Sequence, residues 1–568
     1  MTASGRAAPI MRSTPLQRRR AQRIREVPMK NKGLSRRAFL GSALAGSTIA
    51  ALGLAGCAPS TASQAAAEKA PASDLASTSS NPSFLNAPEP IADADITTTK
   101  DADVVIVGCG IAGMAAARAA TDEGAKVVII EKSERFNCRG TMGSQLGAVN
   151  SIYQQQAGYP TFDTAALINR YMQDTLQMAN QSFLKHWVDH SGADVEWFLE
   201  LCQNVEVLEP GAMVPEGGLS GNVYLMPKAT ANLEGRYPAY PTAMSVNFDT
   251  SFPDDAGFYY PMKSFQEHIE SQGGEFLYAT WGRQLVKDGD RVVAVIAQNV
   301  DGDYIRVNAK AVVLSCGDFG NNQEMVEYYA PQAANLNCTY NCMDANGDIC
   351  NIGEGHQMAL WAGAAMEKTP MAPMSHLSDV ADLLLVRRDG TRFINEDLGA
   401  QSLSNVIMRC PGEVAYCVTG DAQGPKVLQP GPDAVKPEPS ATVEEAAAIV
   451  GCDPEALKAT IDRYNELVAK GVDEDFGKDI TKMTAIEPPY YVYEGHPGNM
   501  LVLMGGIACD DYCRALDAEG TPVAGLYVAG NNQGGRFGAE YPMTAPGISH
   551  GIALSLGRFA GQNAATLA

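Results

Sequence analysis

The chain has 568 residues, of which 45% are hydrophobic, and a formal net charge of −22. These values predict a globular, water-soluble protein of about two or three domains. The first 37 residues hold 11 of the 43 Lys and Arg but 1 of the 65 Asp and Glu, so the rest, with 32 basic and 64 acidic side chains, carries a net charge of −32. Such an acidic body argues against nucleic acid as a partner.

The N-terminus, residues 1–57, predicts an export signal rather than a folded element. Ser35–Leu40 reads SRRAFL and resembles a twin-arginine signal; the weakly hydrophobic run behind it ends in Leu-Ala-Gly-Cys57, which resembles a lipobox. We therefore expect twin-arginine export and a lipid anchor at Cys57 on the outer face of the cytoplasmic membrane, with no other membrane contact. A short transmembrane anchor and cleavage without lipid are the alternatives. Residues 58–100 are rich in Ala, Ser, Thr and Pro and predict a flexible tether.

The most informative stretch is Asp103–Lys132, which reads DVVIVGCGIAGMAAARAATDEGAKVVIIEK. A short apolar run predicts a strand, Gly108-x-Gly110-x-x-Gly113 follows it, and a helix and a second strand then lead to Glu131. The first glycine permits a tight turn, the second lets the backbone approach a pyrophosphate, and the third lets helix and strand pack closely. The helix N-terminus then faces the phosphates, and the acid accepts from a ribose hydroxyl. The stretch therefore predicts a dinucleotide-binding unit.

Hydrophobic periodicity predicts the later elements. Helices are expected in 167–201, 265–273 and, as a pair, in 443–470; strands are expected in 291–297, 304–307, 311–314 and from 525; a last helix is expected from about 546 to the C-terminus.

Further motifs follow the glycine-rich unit in order: AVVLSCGDFGNNQEM (Ala311–Met325), GTRFINE (Gly390–Glu396), EPPYYVYEGHPG (Glu487–Gly498), MGGI (Met504–Ile507) and GLYVAGNNQGG (Gly525–Gly535). Together they resemble the flavin subunit of a superfamily that contains fumarate reductases, flavocytochromes c and 3-ketosteroid dehydrogenases. Members of this superfamily have an FAD-binding domain of type 2. The chain also resembles the subgroup whose members reduce cardiac glycosides.

The resemblance implies an α/β fold in which a Rossmann-like FAD-binding domain is built from two sequence segments, 101–335 and 500–568. An inserted α+β capping domain, 336–499, would close over it, with the substrate between the two. The residues implied to contact FAD are Gly108, Gly110, Ile111, Ala112, Gly113, Glu131, Lys132, Gly140, Thr141, Gly143, Gly317, Asn531, Gly547 and Ile548.

This sequence departs from the fumarate-reducing members at the positions that grip a dicarboxylate. The two arginine positions fall on Ala400 and Tyr541, the cap histidine on Ala372, and a pair of histidines on Leu501 and Val502. A carboxylate bound in a closed cleft of low dielectric constant needs cationic or strong hydrogen-bonding partners. We therefore expect a neutral, more apolar substrate.

The implied reaction is reduction of an activated C=C bond beside a neutral carbonyl, as in an enone or an unsaturated lactone. Ketosteroid dehydrogenases have a Tyr-Pro pair where this chain has Tyr541-Pro542, and by that resemblance Tyr541 would hydrogen-bond the carbonyl oxygen. His376 is the candidate general acid. The alternatives are a ketosteroid-type dehydrogenase that works in the oxidative direction, a fumarate-like enoate reductase, and a lipoprotein that binds flavin or ligand without turnover.

No Cys-x-x-Cys-His motif is present, so the chain attaches no c-type haem of its own. We expect electrons from a separate, membrane-anchored multihaem c-type cytochrome.

Thirteen cysteines are many for an exported enzyme. Cys338 and Cys342 lie at the start of the predicted cap, and Cys509 and Cys513 lie just beyond its end, where the two connecting segments must run close together. A [4Fe–4S] cluster, disulfides and ordinary buried thiols are the three alternatives.

Overall fold

The computed structural model describes residues 82–138, 145–209, 212, 221–227, 240–247, 257–339, 341–376, 383–398, 400–423, 438–497 and 499–566. All of them belong to one compact unit, Ser77–Ala568. The predicted signal, 1–57, lies outside the described residues.

The strands in the described part are β1 Ile96–Asp101, β2 Val104–Val107, β3 Val127–Ile130, β4 Gln145–Gly147, β5 Asn204–Val207, β6 Asn222–Pro227, β7 Ala243–Val246, β8 Glu275–Leu277, β9 Thr280–Asp288, β10 Arg291–Asn299, β11 Tyr304–Asn308, β12 Ala311–Leu314, β13 Ala372–His376, β14 Leu384–Val386, β15 Ala415–Thr419, β16 Tyr491–Gly495, β17 Asn499–Met504, β18 Arg514–Leu516 and β19 Pro522–Val528. The α-helices there are α1 Ile111–Asp122, α2 Ile152–Gln156, α3 Thr164–Asp174, α4 Gln181–Leu199, α5 Tyr259–Ser271, α6 Gln323–Tyr329, α7 Glu354–Trp361, α8 Ala400–Ile407, α9 Val443–Val450, α10 Pro454–Lys470 and α11 Ile548–Thr566.

A six-stranded sheet of order β18-β19-β12-β2-β3-β8 forms the centre of the molecule. Strands β2, β3 and β12 are buried at every residue, as their unbroken apolar runs require. Alternate side chains along each strand enter two different hydrophobic clusters, one on each face of the sheet. The predicted mixed α/β fold class is confirmed.

Strands from distant parts of the sequence meet in this sheet. Strand β12 pairs in parallel with β2 on one side and with β19 on the other. The C-terminal helix α11 packs closely on α1, since a Cβ atom at Gly561 would lie 2.2 Å from the Ala116 carbonyl oxygen. The last part of the chain is therefore built into the same layer as the glycine-rich unit.

The opposite face of the central sheet is covered by a second sheet of order β1-β11-β10-β9. Strands β10 and β11 form the antiparallel hairpin that the sequence predicted. Strand β1 and the buried Phe84 lie within or at the end of the stretch that was predicted as a tether, so residues 82–100 include packed and hydrogen-bonded structure.

Residues 383–495 contain their own three-stranded antiparallel sheet of order β14-β15-β16. One face packs on α9 and α10, and the other packs on α8, in two hydrophobic clusters drawn only from this part of the chain. Helix α10 begins at Pro454 with Asp453 as its N-cap, which confirms the break predicted between the paired helices.

One predicted helix differs from the structure. The stretch 167–201 forms two helices, α3 and α4, because Leu176 and Gln177 between them adopt positive φ angles of 54° and 60°. In the described part of the chain, none of the helices combines the length and apolar character needed to cross a membrane.

A buried ion network links the segment that follows β14 to the loop that follows α10. The Nη2 atom of Arg392 lies 2.8 Å from Oε2 of Glu396 and 2.9 Å from Oδ2 of Asp473. Lys478 Nζ lies 3.4 Å from Glu396 Oε2, so two cations face two anions. The side chains of Glu396, Asp473 and Lys478 have no solvent exposure, so removal of one partner leaves an uncompensated buried charge.

We predict that Arg392→Met lowers the free energy of unfolding by about 3–5 kcal/mol, as for other broken buried pairs. Urea denaturation measures the change. The matched control is Arg463→Met, because Arg463 also pairs with an acid, Asp475 at 2.7 Å, but its side chain is 39% exposed. We expect the control to cost about 0–1 kcal/mol. Equal losses in both variants would contradict the importance of burial.

Candidate active site

The glycine-rich turn has the geometry that the sequence predicted. Gly108 has a φ angle of +96°, and a Cβ atom there would lie 2.5 Å from the Ser315 carbonyl oxygen. A Cβ atom at Gly113 would lie 2.0 Å from the Gly108 carbonyl oxygen. The first and third glycines are therefore required by the packing of the protein itself.

Gly110 is different, because a Cβ atom there would meet the protein no closer than 3.6 Å, at the Asn137 carbonyl oxygen. Helix α1 begins directly after it, at Ile111 and Ala112, and Gly110 caps the helix without a side-chain hydrogen bond. The N–H groups of this first turn carry a partial positive charge. The space and the charge fit the pyrophosphate of FAD.

Glu131 ends strand β3 and is 8% exposed. Its Oε2 accepts from the Cys109 N–H at 2.7 Å and its Oε1 from the Ser133 N–H at 2.8 Å, while burial raises its pKa. A carboxylate has further lone pairs, so a ribose hydroxyl can still donate to it. Lys132 forms an ion pair with Glu354, in the first turn of α7.

The other predicted FAD contacts lie in turns at one edge of the central sheet. Because β2, β12 and β19 are parallel, Gly108, Gly317 and Asn531 all follow the C-terminal ends of neighbouring strands. Such an edge is where open α/β sheets bind ligands. Gly547 has a φ angle of +77° and precedes the buried Ile548, which begins α11. Gly140, Thr141 and Gly143 lie outside the described residues.

Tyr541 is 3% exposed and packs against Phe537, with ring centroids 5.2 Å apart. Burial raises its pKa, while a hydrogen bond from the Ser549 N–H and the charge of Arg536 act in the opposite direction. The phenol therefore stays protonated at neutral pH and can donate a hydrogen bond.

The positions at which the sequence departs from fumarate reductases lie in an apolar environment. Ala372 is fully buried and Val502 is 6% exposed; both belong to the same hydrophobic cluster as Tyr541, and Leu501 packs against it. Strands β13 and β17 pair so that these residues lie on neighbouring strands. Ala400 begins helix α8.

His376 is the last residue of β13, and its backbone lies opposite Asn499 of β17. The side chain of His376 lies outside the described part of the structure, so its role as general acid stays a prediction.

A buried arginine near Tyr541 was missed by the sequence reasoning. Arg536 is 2% exposed; its Nη2 donates to Asn531 Oδ1 at 2.9 Å and its Nε to the Gln533 carbonyl oxygen at 3.1 Å. Nη1 is buried without a hydrogen-bond partner among the described residues. Burial lowers the pKa of Arg536 to about 10, so it remains cationic at neutral pH. In the sequence, the signal that could have indicated this buried cation was a single arginine between Gly535 and Phe537.

The cysteines do not form the cluster site that was one of the three alternatives. The two connecting segments do run side by side, since the Met500 N–H donates to the Asn337 carbonyl oxygen at 2.8 Å. Cys513 lies further along, where its Sγ accepts from Gln533 at 3.2 Å, and burial raises its pKa to about 12. Among the described residues, no group of three or more His, Cys, Asp or Glu side chains could hold a metal ion. Cys338, Cys342, Cys509 and Cys513 therefore give the iron–sulfur prediction no support.

A family model for an FAD-binding domain matches residues 103–548. The chain belongs to this FAD-binding family. The predicted resemblance, the FAD cofactor and the assignment as an FAD-dependent oxidoreductase are thereby confirmed.

The digoxin reductase of Eggerthella lenta is 26% identical over 585 residues, which cover 94% of this chain and 98% of that protein. A probable fumarate reductase of Shewanella frigidimarina is 26% identical over 485 residues, which cover 81% and 74%. The fold is similar to that of the 3-ketosteroid-Δ4-(5α)-dehydrogenase of Rhodococcus jostii in complex with 4-androstene-3,17-dione: the TM-score is 0.67 at 23% identity, over 84% of this chain and 99% of that one.

We predict that Gly110→Ala weakens FAD binding about tenfold or more, because the methyl group occupies the space of the pyrophosphate. The thermal stability of the apoprotein should change little, since this methyl group meets no close protein atom. Flavin fluorescence titration and thermal denaturation of the apoprotein measure the two quantities. The contrasting variant is Gly113→Ala, which should destabilise the apoprotein itself. Unchanged FAD affinity in Gly110→Ala would refute the assignment.

Proposed function

We propose that the protein reduces an activated C=C bond of a neutral carbonyl compound, such as an enone or an unsaturated lactone of steroid or cardiac-glycoside type. The observation that carries this proposal is that Ala372, Val502 and Tyr541 are all buried in the hydrophobic core on one face of the central sheet. A dicarboxylate in that environment would lose its hydration without gaining charged partners from these positions. A neutral carbonyl needs only a hydrogen-bond donor, which Tyr541 supplies.

Reduced FAD would supply a hydride for the β-carbon of the substrate. Tyr541 would donate its hydroxyl hydrogen bond to the carbonyl oxygen, where negative charge develops as the enolate forms. A general acid must then deliver a proton to the α-carbon. The sequence candidate for that acid is His376.

The relatives support a C=C reductase without choosing its substrate. They include reductases named for fumarate, urocanate and digoxin, of which digoxin is the large neutral compound. Oxidation in the ketosteroid-dehydrogenase direction would use the same site in reverse, and a fumarate-like enoate reductase or a ligand-binding lipoprotein without turnover remain the other candidates.

We further propose that residues 101–335 and 500–568 form the flavin domain and residues 336–499 form the cap. The separate hydrophobic clusters of residues 383–493 support a distinct cap. The SRRAFL motif and the lipobox-like Cys57 support twin-arginine export and lipid anchoring. An exported enzyme without nicotinamide supply would take electrons from a membrane-anchored multihaem cytochrome.

The proposed substrate class predicts which compounds reoxidise the reduced enzyme. After photochemical reduction under anaerobic conditions, 4-androstene-3,17-dione or digoxin should reoxidise the flavin faster than fumarate does. Flavin absorbance in a stopped-flow instrument measures the rates, and the product is identified by mass spectrometry. Reoxidation by fumarate alone would refute the neutral-substrate proposal.

Tyr541→Phe should slow reoxidation by the accepted substrate about 100-fold or more, as for the loss of one donor to a developing oxyanion. The FAD content should stay the same, because the ring and its packing against Phe537 are retained. Tyr527→Phe is a matched control, since Tyr527 is also buried but bonds the Asn563 carbonyl oxygen at 3.4 Å, within helix α11. An unchanged rate in Tyr541→Phe would remove Tyr541 from the mechanism.

A further inference from the structure

Glu540 stands directly before Tyr541 and is partly buried. Its Oε1 accepts a hydrogen bond at 2.7 Å from the hydroxyl of Ser402, in the first turn of helix α8. Glu540 directly precedes Tyr541 in the chain, and its hydrogen bond with Ser402 joins this segment to α8.

Two other carboxyl groups bond residues of the segment around Tyr541, and both are held by several partners. Asp174 pairs with Arg170 at 2.9 Å and also accepts from the Thr544 hydroxyl. Glu367 accepts from the backbone N–H groups of Gly506 at 3.0 Å and Gly535 at 2.8 Å, and from the Thr369 hydroxyl at 2.5 Å. Several acceptor bonds hold each of these two groups in place, although burial raises the pKa of Glu367.

The carboxyl group of Glu540 has one hydrogen-bond partner among the described residues, the Ser402 hydroxyl. A hydroxyl can accept a proton as well as donate one, so Ser402 can pass a proton to the carboxyl group after each turnover. Of the three carboxyl groups, that of Glu540 therefore has the fewest hydrogen-bond partners among the described residues, and Ser402 offers it a route for reprotonation.

We propose that Glu540 is the general acid that protonates the substrate α-carbon, in place of His376, and that Ser402 returns the proton. The inference rests on the proposed C=C reduction. The hydride that FAD supplies forms the bond to the β-carbon and leaves the electron pair on the enolate held by Tyr541. The Glu540 O–H bond then breaks, the new α-C–H bond forms, and the carboxylate regains its proton from solvent through Ser402.

The electrostatics of the site favour the protonated form of Glu540. Burial raises the pKa of Glu540, and the negative charge of Asp174 on α3 adds to the rise, while the Ser402 hydrogen bond acts to lower it. Arg170 partly screens the charge of Asp174 through their ion pair. A general acid must carry its proton to act, so the rate should fall at high pH as Glu540 ionises.

The test is the pH dependence of flavin reoxidation in the photoreduced holoenzyme. The probes are 4-androstene-3,17-dione, digoxin and fumarate, and the fastest of them is used for all variants. Glu540→Gln should lower the rate about 100-fold or more and abolish the alkaline fall. Glu540→Asp should keep the alkaline fall at a reduced rate. FAD content and thermal stability identify a variant that fails to fold.

Ser402→Ala gives a second signature that a merely structural contact would not produce. Loss of its hydrogen bond removes an influence that lowers the pKa of Glu540, so the alkaline fall should move to higher pH. Glu519→Gln, in an exposed turn, is the matched control and should leave the rate and the pH profile unchanged.

The possible results separate the two proposals. An unchanged profile in Glu540→Gln, or loss of the alkaline fall in His376→Gln instead, would overturn the role of Glu540 and leave the proposed function standing. If fumarate alone reoxidises the wild type, the neutral substrate is refuted, and the Glu540 variants still decide the proton donor because reduction of fumarate also needs one. If none of the three probes reoxidises the flavin, both proposals are overturned.

Discussion

The parallel pairing of β12 with β2 and β19 is the constraint on which the rest of the structure depends. It brings the C-terminal ends of three strands to one edge, although β2 and β19 are more than four hundred residues apart in the sequence. The turn at Gly108 and the turn at Asn531 therefore lie at the same edge of the sheet. Without this pairing, Tyr541 would have no fixed position relative to the cofactor site.

Close backbone contacts hold that pairing in place. Helix α11 reaches α1 only because Gly557 and Gly561 bring no side chains between them, and Cβ atoms there would lie 2.5 Å and 2.2 Å from carbonyl oxygens of α1. Gly147 and Gly547 meet in the same way beside the N-terminus of α11. The glycines thus serve two different purposes, since most allow backbones to touch, whereas Gly110 leaves room for a ligand.

Charged and apolar side chains are likewise found in different parts of the molecule. The region of residues 383–495 contains a buried network of two cations and two anions. Tyr541 lies in the hydrophobic core on one face of the central sheet, and the charge of Arg536 acts on it. The proposed neutral substrate with a proton-accepting carbon suits such a site, because charge is needed only while the transition state forms.

The sequence by itself determined the glycine-rich unit, its Glu131, the hairpin of β10 and β11, the paired helices around Asp453 and the FAD-binding family, because short-range periodicity and turn chemistry specify them. It predicted one helix over residues 167–201, whereas Leu176 and Gln177 separate two helices there. Their positive φ angles are imposed by packing and leave no signal in the sequence. Spacing also suggested that four cysteines could converge, but the connecting segments continue past each other and Cys513 packs near α11. Only the tertiary structure decided that Arg536 is buried against Asn531 and that Ser402 meets Glu540. Ser402 and Glu540 are 138 positions apart, and no local sequence pattern links the start of a helix to a distant turn.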